Sequence, residues 1–440
     1  MRHRSLFVAF TACAALTVTA ATVAVRAQSV SSIAGDDPIV RLEQRIEAGE
    51  TTVASDDDHG YLEALLEALE IPVSSQGLVF SRTSLQTDRI TPWSPRALYF
   101  NDDVYVGWVK DSPRLEIASI DPDEGAVFYV VSQDGGDRPV FSRQTTTCLM
   151  CHESKAVTGG IPGVMMRSVL TDRHGYVVDT VYEGSVADST PFEKRFGGWY
   201  VTGTHGDPGH AGNSMSPLLN HEVHDPQRYI EEFDLAAGGN VTDLEGRFNA
   251  TPYLSKHSDI VALLVLAHQT RIHNMITLAR QSAADALSDQ KALMLSTGTA
   301  LPGSGILPAT KSRIDSAIDR LLREMLSYRA VPLSGPIRGT TGYAAEFVGK
   351  GPADGRGRSL RDLDLDQQLF RYPLSFLIYT ESFDSLPGIV KDGFYARLNR
   401  VLTGEDPDPD FAHLSESDRI AVLEILQETK PEFVDRLDSP

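Results

Sequence analysis

Four short hydrophobic runs follow one another in residues 97–131, whose sequence is ALYFNDDVYVGWVKDSPRLEIASIDPDEGAVFYVV. The runs are rich in β-branched and aromatic residues, and the segments between them carry Asn, Asp, Pro and Gly, which favour turns. A repeat of about ten residues from one run to the next is typical of an antiparallel meander. We therefore predict a sheet of antiparallel strands in the N-terminal half of the chain.

The hydrophobic period becomes helical after residue 259. We predict one long helix at 260–280, and further helices at 311–326, 360–378, 394–402 and 416–429, with a kink or break in the third at Pro373. Seven Gly and three Pro make residues 331–358 a surface loop. The predicted fold class is therefore α+β. An antiparallel β-rich region (28–255) carries the motif described below, and a helical region (256–440) packs against it.

The charge balance excludes one class of partner. The chain has 440 residues, with 40 Lys and Arg against 60 Asp and Glu, so the formal net charge is −20. A nucleic-acid backbone would be repelled by most of such a surface, so we predict no nucleic-acid binding. An acidic surface suits docking to a partner protein with a basic surface.

The first 27 residues differ in character from the rest. Arg2 and Arg4 precede an apolar run from Leu6 to Val25, and small residues stand before the expected cleavage point after Ala27. This order is typical of a secretory signal peptide, although an uncleaved membrane anchor has a similar length. We predict a signal peptide at 1–27 and a mature protein that is periplasmic or secreted, with no stable membrane span. Cleavage removes three arginines, so the net charge becomes −20 − 3 = −23.

Export would leave two cysteines, because Cys13 lies in the signal peptide. Both belong to the pentapeptide CLMCH at 148–152, and C-x-x-C-H is the attachment sequence of c-type haem. Each thiol adds to one vinyl group of the porphyrin, and the adjoining histidine binds the iron. A zinc site would need two further ligands, and a thioredoxin-like redox pair is the other alternative. The motif predicts one covalent haem c on Cys148, Cys151 and His152.

The second axial position of haem iron decides between electron transfer and chemistry on a bound ligand. Residues 197–213, GGWYVTGTHGDPGHAGN, combine glycines that permit close approach with aromatic and imidazole side chains. We predict that Trp199, His205 and His210 line the haem and that His205 is the second iron ligand. His210, His268, His273 and the methionines, including the neighbours Met165 and Met166, are alternatives for that position.

Four blocks resemble a large family of exported bacterial proteins that carry a single C-x-x-C-H and are usually labelled cytochrome c domain-containing. The blocks are FNDDVYVGWV at 100–109, CLMCH at 148–152, GGWYVTGTHG at 197–206 and RYPLSFLIY at 371–379. The resemblance implies haem binding and electron transfer, without an established substrate. Family members often carry Met directly after the second histidine of the glycine-rich loop. Ala211 stands there in this chain, which argues against an axial ligand at that position.

Two functions lead among those that these features allow, and a binding or sensor protein in which the haem is structural is a third. The first is an electron carrier with one six-coordinate haem and a redox partner protein. The second is a haem enzyme, peroxidase-like in type, with a labile sixth position. The single haem favours the carrier, whereas the length of the chain favours the enzyme.

Overall fold

The predicted meander forms the centre of a seven-stranded antiparallel sheet in a computed structural model, which describes residues 35–134, 136–207, 209–298, 305–333 and 335–437. The predicted signal peptide lies outside the described residues. The strands are β1 (Gly77–Val79), β2 (Arg96–Phe100), β3 (Val104–Trp108), β4 (Arg114–Asp121), β5 (Gly125–Ser132), β6 (Phe141–Arg143), β7 (Ser168–Asp172), β8 (Val177–Tyr182), β9 (Trp199–Tyr200) and β10 (Met215–Ser216). The large sheet has the order β6-β5-β4-β3-β2-β1-β9, and a small sheet has the order β10-β7-β8.

Helices dominate the C-terminal half, so the α+β prediction is confirmed. In chain order the helices are α1 (Pro38–Glu47), α2 (Leu62–Ala68), α3 (Leu149–His152), α4 (Pro226–Glu232), α5 (Ile260–Thr297), α6 (Pro308–Met325), α7 (Tyr343–Gly349), α8 (Glu381–Asp384), α9 (Gly388–Thr403), α10 (Glu416–Thr429) and α11 (Pro431–Leu437). From Gly35 onward the chain forms one compact unit, and its main hydrophobic core contains residues of both predicted regions.

Helix α5 crosses one face of the large sheet. Leu263, near the start of α5, lies against Gly77 in β1, and Thr277 lies against Gly125 at the start of β5. The 14 residues between them span about 21 Å of helix, and the four strand spacings from β1 to β5 span about 19 Å. The helix therefore lies across the strands and covers the sheet from one side to the other.

Cross-strand register decides what α5 covers. Phe100, Tyr105, Ala118 and Phe128 lie opposite one another on β2 to β5, so they form a row on one face. Phe100, Tyr105 and Phe128 belong to the core that contains α5. The opposite face packs near the N-terminal helices, where Tyr129 donates a hydrogen bond to Asp37, the residue that caps α1.

Two sequence predictions need correction. Residues 360–378 are not one kinked helix, since only Phe376–Tyr379 forms a single 3-10 turn. Distant backbone groups hold this segment in an irregular path, for example Met325, whose carbonyl accepts from Ser375 N–H. The predicted surface loop at 331–358 contains the helix α7, whose Tyr343 and Phe347 are buried. The long helix starts where predicted and continues to Thr297. No helix among the described residues has the length and hydrophobicity that a membrane crossing requires.

A first prediction concerns the packing of α5. Leu263 is 0% exposed, whereas Leu295 on the same helix is 80% exposed. Leu263→Ala should lower the free energy of unfolding by about 2–5 kcal/mol, because it leaves a cavity between helix and sheet. The matched control Leu295→Ala should change it by less than about 0.5 kcal/mol. Urea unfolding followed by circular dichroism measures both, and equal effects of the two substitutions would contradict the burial of α5.

Candidate functional site

The CLMCH pentapeptide forms one helical turn between β6 and a long connection. Cys148 caps α3, and the amide of His152 donates to the Cys148 carbonyl at 3.0 Å. Positions i, i+3 and i+4 lie on the same side of a helical turn, so both thiols and the imidazole project together. Cys148 is half-buried and Cys151 exposed, and neither forms a disulfide. The local fold therefore presents the three side chains as the haem motif requires.

The His152 imidazole is held in one orientation. Its Nδ1 lies 2.9 Å from the carbonyl oxygen of Gly163, and the Gly163 amide donates to the His152 carbonyl at 2.8 Å. A carbonyl can only accept, so Nδ1 carries the proton and the lone pair of the neutral ring is on Nε2. Among the described residues, Nε2 has no hydrogen-bond partner. This is the arrangement that a metal-binding histidine needs, with the second nitrogen donating to a carbonyl.

Burial keeps the imidazole neutral. The ring packs 4.6 Å from the ring of Phe128. Burial lowers the pKa of His152, and the positive charge of Arg96 lowers it further, whereas the Gly163 carbonyl and Glu116 act in the opposite direction. A neutral imidazole is the form that binds iron.

Beside Phe128 lies a second row of residues on the same sheet face, which we call the open row. It consists of Leu98, Gly107, Glu116 and Val130, which lie opposite one another on β2 to β5. Leu98, Glu116 and Val130 are partly exposed, whereas Gly107 is buried and the Arg96 side chain lies over it. The open row is thus an incompletely covered sheet surface next to the motif, with aliphatic side chains that suit a porphyrin face.

An ion pair borders the open row. Arg96 Nη1 contacts Glu116 Oε2 at 2.8 Å. The remaining atoms Arg96 Nε and Glu116 Oε1 are buried and have no hydrogen-bond partner among the described residues. A buried donor without an acceptor is costly, and a guanidinium binds carboxylates well. A haem carries two carboxylates, which suit the Arg96 guanidinium. This guanidinium, the free Nε2 of His152 and the open row therefore all fit a haem.

The thiol chemistry disfavours the redox-pair alternative. Burial raises the pKa of Cys148 to about 11, with the charges of Glu116 and Cys151 adding to the shift. The attacking cysteine of a thioredoxin-like pair has a lowered pKa. Cys148 therefore lacks the activation that such a pair needs.

Trp199 lies on the same sheet face as the open row. It is opposite Val79, and its indole contacts the position of Gly77, which is paired with Leu98. The indole N–H donates to the Arg167 carbonyl at 3.0 Å. Trp199 thus lies at the end of this sheet face that is covered by the start of α5.

The structure does not bring His205 and His210 to His152. Their loop lies at the start of α5, where Gly203 contacts Ile260, whereas His152 is linked through Gly163 and Val164 to Asn274. The 14 residues from Ile260 to Asn274 span about 21 Å of helix. The predicted pairing of His152 with His205 on one iron therefore has no support in this geometry.

The lone pairs of the two loop histidines are also engaged. The rings of His205 and His210 are 4.6 Å apart and buried. His205 Nε2 accepts from the Asn240 amide at 3.0 Å, and His210 Nδ1 accepts from the Gly212 amide at 3.1 Å. A neutral imidazole has a single nitrogen lone pair, so both rings are committed to the backbone. These histidines stabilise the loop.

The alternative ligands are engaged or enclosed as well. His268 Nδ1 contacts Asp188 at 2.6 Å and its Nε2 contacts Ser375 at 2.8 Å. His273 Nε2 donates to the Asp102 carbonyl at 2.8 Å, whereas its Nδ1 is buried without a hydrogen-bond partner among the described residues, and burial lowers the pKa of this histidine to about 4. Met166 is buried in the core, and Met165 is half-buried.

Sequence reasoning missed the residues that support the motif. Gly163, Asn274, Phe128 and the Arg96–Glu116 pair gave no local signal, because each acts across a long sequence separation. The structure also groups Asp56, His59 and Glu63 closely enough to suggest a cation site. His59 Nε2 lies 2.9 Å from the Pro252 carbonyl and its Nδ1 lies 2.9 Å from the Glu63 carboxylate, while Asp56 and Glu63 are exposed, as acidic surface groups without a metal commonly are.

No family model, curated protein or solved structure matches this chain.

A second prediction concerns acid stability. Burial lowers the pKa of His210 to about 3, with His205 adding to the shift. Between pH 6.5 and about 3 the unfolded chain binds a proton that the folded chain excludes. The free energy of unfolding should therefore fall by up to about 1.4 kcal/mol for each pH unit below 6.5. His210→Asn keeps an acceptor for the Gly212 amide and cannot titrate. The free energy of unfolding of this variant should therefore fall less steeply as the pH decreases.

Urea unfolding at pH 7, 6 and 5 measures this slope. The exposed residue His221 provides the control, and His221→Asn should retain the slope of the wild-type protein. Identical slopes in the His210 variant and the wild type would contradict the burial of a neutral imidazole at this position.

Proposed function

We propose that this chain is an exported c-type cytochrome that binds one covalent haem c and transfers electrons. The observation that carries the proposal is the state of His152. Its Nδ1 is fixed on the Gly163 carbonyl and its Nε2 lone pair is available, one turn from two free thiols. The resemblance of four sequence blocks to exported monohaem proteins supports the same conclusion.

The residues have separate tasks in this proposal. Cys148 and Cys151 would hold the porphyrin through thioethers, and His152 Nε2 would bind the iron. Leu98 and Val130 of the open row would form an apolar wall, and Arg96 would bind a propionate. A haem bound here would supply one-electron chemistry between ferric and ferrous iron. The chain's own contribution is to fix the imidazole, limit water access and set the local charge.

An exposed edge and an acidic surface support electron exchange with a partner. Met150, inside the motif, is 77% exposed, and Cys151 is exposed beside it. A haem attached here would therefore have an edge near the surface. The net charge of −20 favours a redox partner protein with a basic docking surface. The signal-like first 27 residues support a periplasmic or secreted location, where a c-type haem would be attached after export.

A haem enzyme with a labile sixth position is the second candidate. One observation favours it: among the described residues, the lone pairs of His205, His210 and His268 are engaged in hydrogen bonds. His273 Nδ1, which is buried without a hydrogen-bond partner among the described residues, a methionine or a small external ligand would then have to occupy the sixth position. An enzyme would use such an open position, whereas a carrier would fill it with a side chain.

A third prediction tests covalent attachment. The double variant Cys148→Ala/Cys151→Ala, made with the haem-attachment machinery, should lose haem staining on a denaturing gel, because no thioether can form. Met150→Ala is the matched control within the same turn and should stain like the wild type. Wild-type protein that releases all its haem into acid acetone would refute the proposal.

A fourth prediction separates the carrier from the enzyme. Optical and EPR spectra of the ferric holoprotein should be low-spin if a side chain fills the sixth position, and cyanide should then bind slowly. A high-spin spectrum with rapid cyanide binding would favour the enzyme. His205→Ala should leave either spectrum unchanged, because His205 lies away from His152. A spectrum altered by this substitution would contradict the separation of the two sites.

A further inference from the structure

One peptide unit links His152 to helix α5. The carbonyl of Gly163, which accepts from His152 Nδ1, and the amide of Val164 belong to the same peptide group. The Val164 amide donates to Asn274 Oδ1 at 3.1 Å, and Asn274 Nδ2 donates to the Val164 carbonyl at 2.7 Å. The Asn274 side chain thus binds this segment through both of its polar atoms, as a neighbouring strand would.

The close fit of Gly163 indicates that this contact is built into the fold. A Cβ atom at Gly163 would lie 2.4 Å from Asn274 Oδ1, so a larger residue would displace the amide. Asn274 is itself buried, on a part of α5 that is enclosed by the core. The position of the Gly163 carbonyl is therefore set by the helix as well as by its own loop.

Hydrogen bonds on the two ends of a peptide group strengthen one another. An acceptor on the N–H side withdraws the proton and increases the negative charge on the carbonyl oxygen. Asn274 Oδ1 is such an acceptor, so it makes the Gly163 carbonyl a better acceptor for His152 Nδ1–H. A stronger bond at Nδ1 raises the basicity of the ligating nitrogen Nε2. More electron donation to iron stabilises the ferric state.

We infer that Asn274 is a positioning residue that lowers the reduction potential of the haem through the Gly163–Val164 peptide and His152. The inference rests on the proposed function and names a residue that touches neither the cofactor nor its axial ligand. Helix α5 thereby influences the iron site through connected hydrogen bonds that run from Asn274 through the Gly163–Val164 peptide to His152.

Two substitutions at Asn274 separate loss of the acceptor from a change of side chain. Asn274→Leu keeps the size and removes the acceptor, so the reduction potential should rise. Asn274→Asp keeps an acceptor at Oδ1, and its second oxygen faces the Val164 carbonyl and is protonated to donate to it, so the potential should stay near the wild-type value. For Asn274→Leu we expect a change of about threefold in the oxidation equilibrium, which is about 28 mV because tenfold corresponds to 59 mV for one electron. Redox titration of the purified holoprotein followed at the Soret band gives these values.

A matched control separates tuning from loss of packing. Gln269 is another buried amide on α5, and its Nε2 donates to the Asn101 carbonyl and the Tyr105 hydroxyl, both at 2.9 Å. Gln269→Leu should lower the melting temperature as Asn274→Leu does and leave the potential unchanged. A raised potential in Asn274→Leu, without a rise in Asn274→Asp, supports the inference. Equal rises in both Asn274 variants, or a shift in Asn274→Leu no larger than that of the control, would overturn it.

Haem staining distinguishes failure of this inference from failure of the proposed function. Covalent haem in all variants, with equal potentials, would overturn only the role of Asn274. Absence of covalent haem from the wild-type protein would overturn both.

Discussion

The burial of α5 between the sheet and the C-terminal helices is the constraint on which the rest of the structure depends. Every residue from Ile260 to Thr270 is buried, including polar ones. A helix that is buried on all sides must satisfy each polar side chain internally, because water cannot do so. Gln269, His268, His273 and Asn274 accordingly bind groups on the segments around them. The polar residues of α5 thereby fix the surrounding loops in place.

This constraint gives the candidate haem site its stability. The motif itself is a single helical turn, and such a short helix has little stability of its own. Its histidine is oriented by Gly163, and the following residue is bound by α5. The motif lies beside the large sheet, and α5 covers the row of sheet residues that contains Phe128. The attachment turn is therefore supported by elements that are more than 100 residues away in the sequence, such as Asn274 relative to Val164.

The histidines show why a sequence motif predicts the role of a residue better than the residue type alone does. His152 stands in a spacing that predicts haem attachment, and its hydrogen bonding leaves available the nitrogen that would bind iron. His205, His210 and His268 are more deeply buried than His152, and their lone pairs serve backbone amides or a serine hydroxyl. A glycine-rich setting is compatible with either outcome, since it permits a backbone to approach an imidazole as readily as a porphyrin. The two outcomes are distinguished only by whether the imidazole lone pair is free or already accepts a hydrogen bond.

The sequence alone determined what local pattern can specify: the meander from its alternation and turns, the start of α5 from its period, and the C-x-x-C-H spacing on which the haem prediction rests. The tertiary structure decided which side chains meet. Residues 360–378 have an apolar pattern that predicted a helix, but their backbone is bound by distant partners such as Met325, and an irregular path buries the same side chains. The partners of His152 and the separation of His205 from it were equally undetermined. They depend on how α5 crosses the sheet, and contacts between residues far apart in the chain leave no periodic trace in either segment.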